Sequence, residues 1–126
     1  MEKRTRVVLL DNDPATAEMY QIGLEANGFE VEVLNDPGQL RARLADGLPD
    51  LLILDYLLPG TTGVEIMTEL RARPETADLP IFILSNHEPR GVEIKALPWL
   101  VKARTTPTDL GRVLAASVFN PFVGQA

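Results

Sequence analysis

Three runs of four apolar residues, Val7–Leu10, Leu51–Leu54 and Ile81–Leu84, constrain this chain more than any other feature. Each is short, built from Val, Ile, Leu and Phe, and bounded by turn residues, the pattern of a strand buried on both faces. Phe29–Leu34 sets Glu30 and Glu32 against Val31 and Val33, so it reads as a strand with one wetter side, at a sheet edge. Pro98–Lys102 is a fifth strand, and its leading proline also suits an edge. Helical spacing fills the gaps. Met19, Ile22, Gly23 and Ala26 follow Pro14 on one face, with Gly28 as the stop. Leu40 and Leu44 follow Pro37; Val64, Met67 and Leu70 follow Gly63; Leu110, Val113, Leu114 and Ser117 follow Pro107. Strand and helix alternating in this way predict an α/β fold with a doubly wound, five-stranded parallel sheet, in the order 2-1-3-4-5.

A chain of 126 residues is one domain with a real core, and the last eight residues, Phe119–Ala126, carry Pro121 and Gly124 and read as an irregular tail. The net charge of −6, with basic residues scattered in ones and twos, argues against a direct nucleic-acid surface. With no cysteine there is no disulfide framework and no thiol chemistry. The first apolar run meets Asp11 after four residues, too short for a signal peptide, and no run approaches membrane-spanning length. The expectation is a cytoplasmic chain with no membrane contact.

What ends the strands is the chemical question. Strand one ends at Asp11, Asn12 and Asp13, strand three at Asp55, strand four at Ser85 and strand five at Lys102. In a doubly wound sheet these positions share the carboxyl-end rim where ligands bind. Asp13 before Pro14 is accounted for as a helix cap, as is Asp36 before Pro37. Asp11 is not. Carboxylates gathered without a counter-charge repel and raise one another's pKa. A divalent cation with hard oxygen ligands resolves that, and Mg²⁺ suits one or two carboxylates completed by water and phosphate. A hydroxyl and an ammonium group on the same rim are what a phosphoryl group needs for its other oxygens.

At this point the sequence resembles the receiver domain of two-component response regulators, a CheY-like, flavodoxin-like fold, over nearly its whole length. "LLDNDP" resembles that family's acidic pocket, "LDYLLPGTTG" its phosphorylation loop, "ILSNHE" its hydroxyl-bearing strand end, and "WLVKA" its lysine with an aromatic three residues earlier. The resemblance implies that Asp55 is the phosphoacceptor. It implies that Asp11, Asn12, Asp55 and the Leu57 backbone carbonyl hold Mg²⁺, that Ser85 and Lys102 bind phosphoryl oxygens, and that Trp99 is an aromatic switch. The implied partners are a histidine kinase or phosphotransfer protein and a downstream protein or output domain, with a homodimer also admitted. No enzyme activity is implied beyond self-phosphorylation and self-dephosphorylation.

The sequence departs from the family pattern at three places. Asn12 stands where a second carboxylate is usual, which weakens a cation site without abolishing it. Ala103 follows Lys102 where a proline is common. Asn86 to Leu97, cut by Pro89 and Gly91, leave room for about two helical turns, so the fourth helix is expected to be short or irregular. An ordering change in Glu88–Leu97 is then the expected route of output. One rival is a degenerate receiver that binds partners without phosphorylation. Another is a haloacid-dehalogenase-type phosphohydrolase, with Asp11 as nucleophile and Asp13 as acid/base. Against the latter, position 15 is Ala where Thr or Val is wanted, and Asp55 is left without a role. His87, the sole histidine, has no ligand partners spaced around it and is given no role.

Overall fold

The computed structural model describes residues 4–86, 99–102 and 105–119. Its strands and helices are β1 (Arg6–Leu10), α1 (Pro14–Ala26), β2 (Glu30–Leu34), α2 (Pro37–Asp46), β3 (Leu51–Asp55), β4 (Leu57–Leu58), β5 (Thr61–Thr62), α3 (Gly63–Arg71), β6 (Ile81–Ser85), β7 (Trp99–Val101) and α4 (Pro107–Phe119). The main sheet is parallel throughout, in the order β2-β1-β3-β6-β7, which is the expected 2-1-3-4-5 arrangement. The small antiparallel pair β4–β5, between β3 and α3, was not foreseen. Residues 87–98, all but the first residue of the stretch between β6 and β7 expected to hold the short or irregular helix, lie outside the described residues, His87 among them, as does Ala103. Helix α4 runs through Phe119, one residue into the stretch read as tail, and the rest of that stretch is also outside.

Strand periodicity divides the core in two. Val7, Leu9, Leu51, Ile53, Phe82 and Leu84 point to one face, where they meet Ala17, Tyr20 and Leu24 of α1 and Leu110 and Leu114 of α4. Val8, Leu10, Leu52, Leu54, Ile81 and Ile83 point to the other, against Leu40 of α2 and Ile66, Met67 and Leu70 of α3. Because both faces are covered, the central strands read as unbroken apolar runs. The edge strand β2 keeps Glu30 and Glu32 exposed and Val31 buried, as expected.

The expected inner face of α1 was wrong. Met19 is 48% and Ile22 61% exposed, while Ala17, Tyr20 and Leu24 are buried. The two stripes, 17-20-24 and 19-22-26, have the same helical spacing and lie about 200° apart, so spacing cannot choose between them. The sheet takes the stripe carrying a tyrosine, whose hydroxyl has a buried acceptor, the Thr105 carbonyl at 2.6 Å. On the same side Gly23 lets α4 approach closely, since a Cβ there would lie 2.0 Å from Pro107 Cβ.

Asp-Pro starts two helices as read. Asp13 caps α1, accepting from the Ala15 N–H and the Thr16 hydroxyl, which hold its carboxyl below its ordinary pKa, the hydroxyl foremost. Asp36 caps α2 through the Gln39 N–H, and the Gln39 side chain accepts in return from the Asn35 N–H. Asp36→Ala is therefore expected to cost about 1 kcal/mol in urea unfolding. An unchanged midpoint would show that the Gln39 side chain holds this helix start unaided.

Candidate functional site

Register delivers the site. Leu10 pairs with Leu54, so Asp11 and Asp55 stand level at the carboxyl ends of adjacent strands. Asp55 pairs with Leu84, which puts Ser85 one residue further along, and Ser85 pairs with Val101, which puts Lys102 one further again. Lys102 thus leaves the sheet two residues, about 7 Å, beyond Asp55. Its long side chain spans that gap. The ammonium Nζ lies 3.1 Å from Asp11 Oδ2 and 3.2 Å from Asp55 Oδ1.

All four rim groups are withdrawn from water: Asp11 is 0%, Ser85 2% and Asp55 8% exposed, and the Lys102 side chain 11%. Such charges need partners. Asp11 has two, because its Oδ1 accepts the Asp13 N–H at 2.9 Å while Oδ2 takes Lys102. Asp55 is less well served. Burial pushes its carboxyl up, the neighbouring Asp11 charge pushes it further, and Lys102 only partly opposes them, leaving a pKa of about 6.

The loop after Asp55 is fixed at both ends. The Tyr56 N–H donates to the Leu84 carbonyl at 3.0 Å, and the Gly63 N–H to the Tyr56 carbonyl at 2.8 Å. Thr62 caps α3 by accepting from the Glu65 N–H, so the helix starts where the β4–β5 pair ends. Leu57 follows in β4 with its side chain exposed, and Asn12 is exposed at the tip of the β1–α1 turn. Trp99, on the edge strand beside β6, packs on Tyr56, ring centroids 4.9 Å apart and planes inclined by 51°.

Sequence reasoning had collected Asp11, Asp55, Ser85 and Lys102 on one rim, and the fold puts them there. Asp13 is not part of the constellation; its side chain faces the first turn of α1. Two contributors were missed: Tyr56, stacked against Trp99, and the Asp13 N–H, which orients Asp11. An aromatic one residue from a strand-end carboxylate was the available signal for the first. The second is a backbone group and leaves no trace in residue type.

The donor set can be judged for a cation by its chemistry. Among the described residues no group of three or more His, Cys, Asp or Glu side chains gathers as a metal site. Two level carboxylates meet at one lysine, Asn12 follows the first in sequence and Leu57 lies two residues after the second; carboxylate, amide and backbone carbonyl are all hard oxygen donors. Mg²⁺ takes one or two carboxylates and completes its octahedron with water or phosphate, so this set fits it. Among the described residues no helix is long and apolar enough to cross a membrane.

Residues 7–102 match the family described as the response regulator receiver domain. The phosphate regulon transcriptional regulatory protein PhoB of Rhizobium meliloti is 37% identical over 115 residues, covering 87% of this chain and 51% of PhoB. The chain thus spans about half the length of that curated relative. The DNA-binding response regulator MtrA of Mycobacterium tuberculosis is 35% identical over 82 residues, 65% of this chain and 35% of MtrA. Among solved structures, the chemotaxis response regulator CheY4 of Vibrio cholerae superposes with a TM-score of 0.78 at 26% identity, over 90% of this chain and 98% of that one. TrrA of Thermotoga maritima, solved in complex with Mg²⁺ and BeF, gives 0.62 at 26% identity, over 67% and 71% of the two chains.

Proposed function

Because this chain belongs to the response regulator receiver domain family, we propose that it takes a phosphoryl group onto Asp55 from a histidine kinase or phosphotransfer protein. The observation that carries the reading is the Lys102 ammonium held between two buried carboxylates, 3.1 Å from Asp11 and 3.2 Å from Asp55. A carboxylate with a pKa of about 6 is ionised at neutral pH and only partly neutralised by its lysine. Asp55 Oδ attacks phosphorus, an O–P bond forms, and the bond from phosphorus to the donor's nitrogen or oxygen breaks with its electron pair leaving on the donor. The Lys102 ammonium then shifts its ion-pair contact from the Asp55 carboxylate to one of the new phosphoryl oxygens, and the Ser85 hydroxyl donates to another.

Receiver domains bind Mg²⁺ for phosphorylation, and Asp11, Asn12, Asp55 and the Leu57 carbonyl would hold it here. When bound, it offsets the charge of two carboxylates and an incoming phosphate. TrrA, a response regulator of similar fold, was solved in complex with Mg²⁺ and BeF, which supports a Mg²⁺ site in a chain of this kind. The family is not one of catalytic enzymes, and any turnover here would be self-phosphorylation and its reversal. A cytoplasmic chain passing its signal to a protein partner or an attached output domain accords with relatives named as DNA-binding and transcriptional regulators.

The phosphohydrolase reading is not favoured. It needs Asp13 as an acid facing Asp11, and the Asp13 carboxylate is committed to capping α1. Intact-mass measurement after acetyl phosphate and Mg²⁺ tests the proposal: the wild-type chain should gain one phosphoryl group and Asp55→Ala none. A wild-type chain that gains nothing would point to the phosphorylation-independent receiver.

Asn12 bears on affinity. Restoring a unit charge beside a dication contributes about 1–2 kcal/mol even with water-like screening. Asn12→Asp should therefore bind Mg²⁺ roughly five- to thirtyfold more tightly, followed by Trp99 fluorescence. Equal or weaker affinity would show that the missing carboxylate is not what limits the site.

A further inference from the structure

We propose that Tyr20 is a positioning residue for Lys102, acting through the Thr105 backbone, which is hydrogen-bonded to both; the proposal rests on the phosphoacceptor reading of Asp55. Lys102 sits just past a three-residue strand that, among the described residues, pairs on one side only, through Trp99, Leu100 and Val101 to β6. A lysine head on a flexible four-carbon stem is located only as well as its backbone. Yet this one meets two carboxylates on two other strands at 3.1 and 3.2 Å.

The downstream side of Lys102 is held by hydrogen bonds. The Thr105 N–H donates to the Lys102 carbonyl at 3.3 Å, and the Thr105 carbonyl accepts the Tyr20 hydroxyl at 2.6 Å. Tyr20 is fully buried in the core beneath the sheet, between Ala17 and Leu24 on the inner face of α1. Helix α1 is itself anchored at the site, since Asp13 caps it and the Asp13 N–H orients Asp11. The chain of contacts runs from one carboxylate of the pocket, through α1, the Tyr20 hydroxyl and Thr105, to the backbone of the pocket's only described cation. At Gly23 the close approach of Pro107 fixes the start of α4 to the same helix. Tyr20 touches neither Lys102 nor the reacting atoms in these contacts; its effect is on where the ammonium stands.

Tyr20→Phe removes the hydroxyl and keeps the ring. It should slow phosphorylation by acetyl phosphate about tenfold, the scale expected when a positioning contact near the chemistry is loosened. In a Lys102→Ala chain, Tyr20→Phe should slow the residual rate by less than about twofold, because the group it positions is gone. Equal slowing in both backgrounds would reduce Tyr20 to a structural residue, and no slowing in either would end the proposal. A second readout needs no phosphoryl group. The ¹³Cε resonance of Lys102 should move toward the exposed-lysine position in Tyr20→Phe, and an unchanged resonance overturns the proposal. Should Tyr20→Phe fail to fold, the same resonance is compared between Asp55→Asn and Asp55→Asn/Tyr20→Phe, where Lys102 still has Asp11. If acetyl phosphate leaves even the wild-type chain unlabelled, the phosphoacceptor reading falls, and the resonance alone decides whether Tyr20 places Lys102.

Discussion

Asp55→Asn is expected to unfold later than the wild-type chain at pH 8 in chelator-containing buffer, and to accept no phosphoryl group from acetyl phosphate. Loss of the acceptor follows from chemistry, since an amide cannot form the acyl phosphate. The gain in stability follows from the pocket. In the unfolded chain an Asp releases its proton near 3.8, whereas burial, with the Asp11 charge added, makes the folded Asp55 hold it to about 6. Between those values the folded state binds more protons than the unfolded one, so wild-type stability falls as pH rises through that window. Above about pH 6 the loss is complete. A shift of roughly two units corresponds to at most about 3 kcal/mol, and solvent screening with relaxation of the pocket lowers the expected gain from Asn to about 1–2 kcal/mol. The difference between the proteins should open between about pH 4 and 6 and stay level above. Superimposable urea curves at pH 8, or a gap already full at pH 4, would show that Asp55 is not held against its charge. In wild type, Mg²⁺ should narrow the gap by stabilising the folded state that binds it.

Much of this arrangement is written in residue types. The central strands are legible because burial on both faces removes every polar residue from β3 and β6, and from β1 after its exposed Arg6, until the rim is reached, so the first polar residue after each run marks a strand end. That is why Asp11, Asp55 and Ser85 could be placed on one rim before any geometry was known. The orientation of α1 was not legible. Its two apolar stripes have equal spacing, and the choice depends on a hydrogen bond to Thr105, 85 positions along the chain. Hydroxyl partners at that separation leave no local pattern. The β4–β5 pair escaped notice because two-residue strands give no periodicity to detect. The orienting N–H of Asp13 belongs to the backbone and would be present whatever residue stood there. Residue type locates the charged groups of this pocket, and what escapes it is the set of contacts that aims them.

Gly63→Ala should damage both stability and phosphoryl uptake, more than any glycine substitution at a turn. A Cβ at this position would lie 2.6 Å from the Asp55 carbonyl oxygen, 3.2 Å from Leu54 Cβ and 3.2 Å from Ile83 Cδ1. Real Cβ atoms do not approach a backbone oxygen so closely, so something must move. The isoleucine methyl can turn away. The β3 backbone cannot, because that strand is paired on both sides and buried throughout. Helix α3 must therefore lift from the end of β3, stretching the Gly63 N–H bond to the Tyr56 carbonyl that fixes the acceptor loop. Overpacking of this kind costs about 1–3 kcal/mol. At the first residue of a helix, little of alanine's usual advantage over glycine is returned. The displacement falls on the residue next to Asp55, where misplacement of a reacting group by about 1 Å can cost a hundredfold in rate. Phosphorylation by acetyl phosphate should slow by at least about tenfold, with unfolding in urea at a lower midpoint. Gly60→Ala is the control: its φ of +73° makes alanine strained, but nothing lies within 4 Å of the added carbon. It should lose stability while phosphorylating near the wild-type rate. If the two variants slow uptake equally, the effect is loop strain, and the contact of Gly63 with the Asp55 carbonyl is not what keeps the acceptor in place.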